Sequence, residues 1–133
     1  MALILVPGDA RALNLLGSAT MENGHPEEAI SLFRRAVAAE PKSPFLRFNL
    51  GEAYRRTQAY ALAVPCFQQA VARKPDFSEA IALAGESLLM VGRQVEAERY
   101  LQKALKLAPQ LPSALHGLGV LELRRCAPAA AVP

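Results

Sequence analysis

The side chains that most often carry out chemistry are scarce in this sequence of 133 residues: two cysteines, two histidines, no tryptophan, and aromatics at only 6%. Cys66 and Cys126 stand far apart with no partner pattern around them. They form neither a disulfide framework nor a zinc signature, and a reducing, cytoplasmic setting is the expectation. His25 and His116 have no cysteine or carboxylate at metal-ligand spacing. No glycine-rich loop is placed to cradle phosphate. Glu27 with Glu28, and Glu96 with Glu98, fall at helix starts, where carboxylates oppose the positive end of the helix dipole rather than serve as an acid and a base. Catalytic, cofactor and metal sites are therefore not expected. The apolar run Ala2 to Val6 is far short of the roughly 20 residues of a membrane span, and no charged n-region precedes it. Charge asymmetry is also small. Lysine plus arginine number 15 against 12 acidic residues, a net charge of +3 with the signs interspersed, whereas a nucleic-acid footprint needs clustered basic residues.

What the chain does have is a period. Leu50, Gly51, Ala63, Phe67, Ala70 and Pro75 recur thirty-four residues earlier as Leu16, Gly17, Ala29, Phe33, Ala36 and Pro41, and thirty-four later as Ala84, Gly85, Ala97, Leu101, Ala104 and Pro109. Self-similarity at that spacing marks an array of short units, each burying its apolar face against its neighbours. Steps of three and four residues between apolar positions predict helices throughout, and the alanine-rich composition agrees. The fold class is all-α.

Taken in order, residues 2–7 match the tail of a preceding unit's second helix. Unit 1 spans 9–42, with Asp9 as a helix cap, a turn at Asn23 to Pro26 in which Gly24 takes a positive φ, and Pro26 in the first helical position. Unit 2 spans 43–76, and Pro65, beyond the first turn of its second helix, predicts a mild kink. Unit 3 spans 77–110, with its first helix over Phe77 to Val91. Residues 111–125 restart the pattern as a fourth first helix, and 126–133, with prolines at both 128 and 133, read as a frayed tail. Gly17, Gly51, Gly85 and Gly119 recur once per unit, where a missing Cβ lets the two helices of a unit close together.

The set Leu50, Gly51, Tyr54, Ala63, Phe67, Ala70 and Pro75 resembles the tetratricopeptide repeat pattern, across almost the whole chain. The aromatic that the family carries near the start of the first helix is here Leu13, Arg47, Ile81 and Leu115. The resemblance implies an α-solenoid of stacked antiparallel helix-turn-helix repeats wound into a right-handed superhelix. It also implies a concave groove, lined by the first helix of each repeat, that holds a peptide or helix of a partner. Carried over by register, the groove positions are Arg11, Asn14, Leu15, Ser18 and Glu22, then Phe45, Phe48, Asn49, Glu52, Arg55 and Arg56. Glu79, Ala82, Leu83, Glu86 and Met90 follow, and after them Ser113, His116, Val120 and Arg124.

Two known uses of such a groove can be compared. The family's chaperone-tail binders hold a terminal carboxylate with lysines, asparagines and an arginine at positions that are Asn14, Ser18, Asn49, Glu79 and Leu83 here, and only Asn49 agrees. The asparagine ladder of its glycosyltransferases falls on Leu15, Asn49, Leu83 and Gly117, again with one match. What remains is an apolar centre of Phe45 and Phe48 flanked by Leu15 and Leu83, with Arg55 and Arg56 to steer an acidic flank of the ligand. The alternative is that the two phenylalanines pack between helices or mediate self-association. The expected role is a non-enzymatic protein-interaction scaffold with a protein or peptide partner and no nucleic acid or membrane. Two other readings stay open: the repeat arm of a larger glycosyl- or sulfotransferase, and a scaffold that self-associates through uncapped ends.

Overall fold

The computed structural model describes residues 9–126, so the expectations for residues 2–7 and for most of 126–133 lie outside the described residues. Among the described residues seven helices follow one another: α1 (Ala10–Glu22), α2 (Pro26–Ala39), α3 (Pro44–Arg56), α4 (Tyr60–Arg73), α5 (Ser78–Met90), α6 (Gln94–Leu107) and α7 (Pro112–Cys126). The closest packing is within the pairs α1 with α2, α3 with α4, and α5 with α6, and each pair then stacks on the next. This is an all-α repeat solenoid.

Local chemistry sets the helix starts. The Asp9 carboxylate accepts hydrogen bonds from the amides of Arg11 at 3.0 Å and Ala12 at 3.4 Å, satisfying donors that the first turn leaves free. Ser43 caps α3 through Leu46 N–H, with Pro44 in the first turn, and Pro26 takes the equivalent place in α2. Phe77 serves as the residue before α5, which therefore begins one residue later and ends one residue earlier than the periodicity predicts.

The three turns inside the pairs share one hydrogen-bond scheme. In the first, Asn23 N–H donates to Ala19 O, Gly24 N–H to Met21 O and His25 N–H to Thr20 O. Thr57, Gln58 and Ala59 repeat it, as do Val91, Gly92 and Arg93. The middle residue has a positive φ each time: 83° at Gly24, 65° at Gln58 and 92° at Gly92. Pro65 is exposed, and α4 runs through it without a break.

The apolar faces pack as the period requires in three of the four units. Phe33, Phe67 and Leu101 are buried against Gly17, Gly51 and Gly85, where a Cβ would come within 2.9 Å of the facing side chain. The fourth glycine departs from expectation. Nothing lies within 4 Å of a Cβ built on Gly119, because no second helix faces it among the described residues. Gly117 makes the close approach instead, at 2.7 Å from Leu101 Cδ2. The core is deepest at α5, where Ala80 to Gly85 and Ser87 to Leu89 are all buried.

Candidate functional site

The first helices of the repeats, α1, α3, α5 and α7, carry the positions expected to face a ligand. On α3, Phe45 and Phe48 meet Phe77, which precedes α5: the ring centroids are 5.5 Å apart for Phe45 and 4.9 Å for Phe48. Phe48 also leans on Phe67 at 5.6 Å. These tilted contacts are of the favourable aromatic kind. The two phenylalanines play different parts as a result. Phe48 is half-buried and anchors the cluster to the core, while Phe45 remains 55% exposed.

Leu15 is 65% exposed, so it is available to a ligand, but Leu83 is not. Leu83 is 4% exposed and packs with Ala63, Phe67 and Ala84 beneath Phe48. The expectation that it flanks the aromatic pair from the next unit is thus corrected: the side chain belongs to the floor. Ala82, another position carried over by register, is likewise fully buried.

The polar positions are tied to one another across repeats. Asn49 Nδ2 donates to Asn14 Oδ1 at 2.8 Å, joining α3 to α1. Arg55 makes a two-pronged contact with Glu52, at 3.0 Å through Nε and 2.7 Å through Nη2, and reaches Glu86 on α5 at 3.4 Å. The hydrogen bond that Arg55 donates to Glu52 raises its pKa against the opposing effect of burial. His116 Nε2 on α7 stands 3.9 Å from Glu86. Arg55, expected to steer an acidic ligand, is thus paired with two glutamates of the chain. Arg56 and Arg11 are exposed and form no ion pair among the described residues. Arg124 donates to the Leu89 carbonyl at 2.8 Å.

Between α1 and α3 lies a cavity of ≈ 150 Å³ lined by Ser18, Met21, Glu22, Phe33, Asn49, Glu52, Ala53 and Arg56. The register of the first helices identifies Ser18, Glu22, Asn49, Glu52 and Arg56 as groove positions. Met21, Phe33 and Ala53 contribute its walls only because the pair α1 and α2 opens against α3, which no single-helix pattern shows. Among the described residues no group of three or more histidines, cysteines, aspartates or glutamates is placed to hold a metal ion, and no helix is long and apolar enough to cross a membrane.

Comparisons with known proteins agree with this architecture. The chain is 34% identical over 97 residues to the human protein O-mannosyl-transferase TMTC2, a match that takes in 71% of the chain but only 12% of that relative. Among solved structures, the first TPR domain of Spaghetti (RPAP3), bound to the HSP90 peptide SRMEEVD, superposes with a TM-score of 0.84 at 23% identity, covering 95% of the chain and all of that domain (100%). The second TPR domain of human RPAP3, in complex with the HSP70 peptide SGPTIEEVD, gives 0.78 at 25% identity, covering 85% of the chain and 98% of that domain. The tetratricopeptide repeat profile matches residues 2–44, 14–76 and 48–112. With that profile running through its helix pairs, the chain belongs to the tetratricopeptide repeat family.

Proposed function

We propose that the chain is a non-catalytic protein-interaction module that takes an extended peptide or a helix of a partner protein along α1, α3 and α5. The observation that carries this reading is Phe45, a large apolar side chain 55% exposed on α3, one helical turn before Asn49, which lines the cavity of ≈ 150 Å³. An exposed aromatic on the same helix as a polar-walled hollow offers a peptide both an apolar anchor and hydrogen-bond partners. The human RPAP3 domain, similar over nearly its whole length, supports peptide binding as the mode.

The ligand chemistry differs from that of the RPAP3 peptide. The carboxylate-holding positions of the chaperone-tail binders fall on Asn14, Ser18, Glu79 and Leu83, with no cation among them. Asn49, the one match, is engaged with Asn14. A peptide ending in Glu-Glu-Val-Asp would meet Glu79 and find Leu83 buried. The groove is suited instead to a segment with an apolar anchor over Phe45 that does not depend on a terminal carboxylate. In a labelled-peptide array on the folded protein, captured sequences should be apolar and not acid-terminated, and Phe45→Ala should weaken the captured peptide by at least about tenfold. Equal binding by wild type and Phe45→Ala, with helical content preserved, would sink the reading.

A second reading rests on length. The chain spans 12% of TMTC2 and 16% of the Vi polysaccharide export protein VexE of Salmonella typhi, another relative at 29% identity. On this reading the repeats are the interaction arm of a larger protein, one that could itself be a transferase, and the groove presents or positions that protein's partner. The length of the native transcript's reading frame decides between an independent module and an arm.

A further inference from the structure

A second hollow of ≈ 180 Å³, lined by none of the groove positions, opens between α4 and α6 at Val71, Ile81, Arg99, Tyr100 and Lys103. Its floor is apolar: Ile81 is fully buried, and Val71 and Tyr100 are half-buried. The Tyr100 ring is fixed by its hydroxyl, which accepts a hydrogen bond from Gln68 Nε2 at 3.2 Å. Its rim is cationic. Arg99 and Lys103 lie one helical turn apart on α6, both exposed, and neither forms an ion pair among the described residues. The carboxylate of Glu98, next in sequence to Arg99, is taken up by Arg125 and Gln102.

The same place one repeat earlier has a different lining: a hollow of ≈ 460 Å³ is walled there by Arg47, Gln69, Ala72 and Arg73. There the position of Ile81 is held by Arg47 and that of Lys103 by Gln69. The Arg47 guanidinium spans the gap, donating to Gln69 Oε1 at 2.5 Å and to the Pro41 carbonyl at 3.0 and 2.8 Å. In the third repeat Ile81 puts an apolar side chain at that position, so no guanidinium crosses the hollow and its floor is apolar. A cavity of about 150 Å³ is enough to hold a benzene ring, so the hollow accepts one aromatic side chain. Arg99 and Lys103 would stand over the face or edge of that ring, and their uncompensated charge favours carboxylates on either side of it.

We propose that this hollow is a second docking site, independent of the groove, for a partner-protein segment that presents one aromatic residue between acidic residues. The probe is a fluorescein-labelled peptide with a single tryptophan between pairs of aspartates, titrated into the full chain by anisotropy. Parallel NMR spectra of the Ile81 and Val71 methyl groups report where it binds. The expected result is saturable binding that shifts those methyl resonances. It should weaken by at least about tenfold when the peptide tryptophan is replaced by alanine, when Ile81→Trp fills the hollow from within, or when Lys103→Glu cancels the net charge of the rim. Phe45→Ala in the groove leaves it unchanged. Lys103 is exposed, so its variant stays informative even if Ile81→Trp disturbs packing. The proposal is overturned by equal binding of the alanine peptide, which would mean charge attraction alone, or by unmoved Ile81 and Val71 methyls. It is equally overturned by the absence of saturation at about 1 mM peptide, including the case in which only anionic phospholipid vesicles bind.

Discussion

At Gly51 a Cβ would stand 2.9 Å from Phe67 Cε1 and 3.0 Å from the Cys66 Cβ, both on side chains locked in the core, while at Gly119 it would meet nothing within 4 Å. One added methyl group therefore has opposite effects at two positions that the sequence period makes equivalent. Gly51→Ala is expected to lower stability by about 1–3 kcal/mol through overpacking. Gly119→Ala should raise it by roughly 0.5–1 kcal/mol, because alanine loses less backbone freedom in a helix. Urea unfolding midpoints for the two variants check the pair, and a loss of stability at Gly119 would contradict the open surface seen there. Cys66, the side chain beside Gly51, offers a second residue-level test. Burial pushes its thiol up to about 11, against the pull of nearby Arg47. An unfolded thiol titrates near about 8.5, so the proton is held more tightly in the folded protein. The stabilisation is complete below about pH 8.5 and lost as pH rises toward 11. Wild type should lose stability faster than Cys66→Ala between pH 8 and 10.5. At pH 8, Ellman's reagent should react promptly with exposed Cys126 alone.

The elements place their strain where the sequence departs from its own repeat. Gln58 occupies a turn position that is glycine in the neighbouring pairs, and it adopts the same left-handed backbone at φ 65°. That conformation costs a residue with a Cβ about 1 kcal/mol or more. Gln58→Gly should recover roughly 1 kcal/mol, read as a rise in the thermal midpoint with no change in the circular dichroism spectrum. Pro65 departs in the other direction, as a ring without an amide proton on the exposed side of α4. Pro65→Ala loses no core contact and restores a donor, so a gain of about 1–3 kcal/mol is expected from chemical denaturation. These cases also show how far the sequence could be read. Helix number, the cap at Asp9 and the left-handed Gly24 follow from local chemistry, which a single stretch contains. Placement was legible at Asn49, Glu52 and Arg56, which line one cavity as their shared helical face predicts. It was not legible at Leu83 or Arg55. Their fates are set by Phe48 closing over one and by Glu86, on another helix, compensating the other, and neither relation has a signature along the chain. The cavity wall at Phe33 and the Ile81 hollow are hidden for the same reason.

For the molecule as a whole, the distribution of buried side chains sets the order in which it comes apart. Nine of the thirteen residues of α5 are buried, against three in each of α1, α2, α6 and α7. In α5 each side is covered by a different neighbour: α4 on one, α6 and α7 on the others. In a solenoid stability is close to a sum of unit and nearest-neighbour terms, so ends open at lower free energy than the middle. Amide hydrogen exchange should accordingly show greatest protection in α5 and the facing parts of α4 and α6, with α1 and α2 exchanging through a partial opening that leaves the rest intact. Single substitutions separate this from an all-or-none transition. Leu88→Ala, fully buried in α5, removes contacts on which both halves depend. It should cost about 2–5 kcal/mol and lower protection across the described helices. Leu13→Ala, buried at 6% exposure in α1, should instead speed exchange in α1 and α2 while amides of α5 and α6 keep their wild-type rates. If Leu13→Ala lowers protection equally from α1 to α7, the chain unfolds as one cooperative block, and the nearest-neighbour account of its stability is wrong.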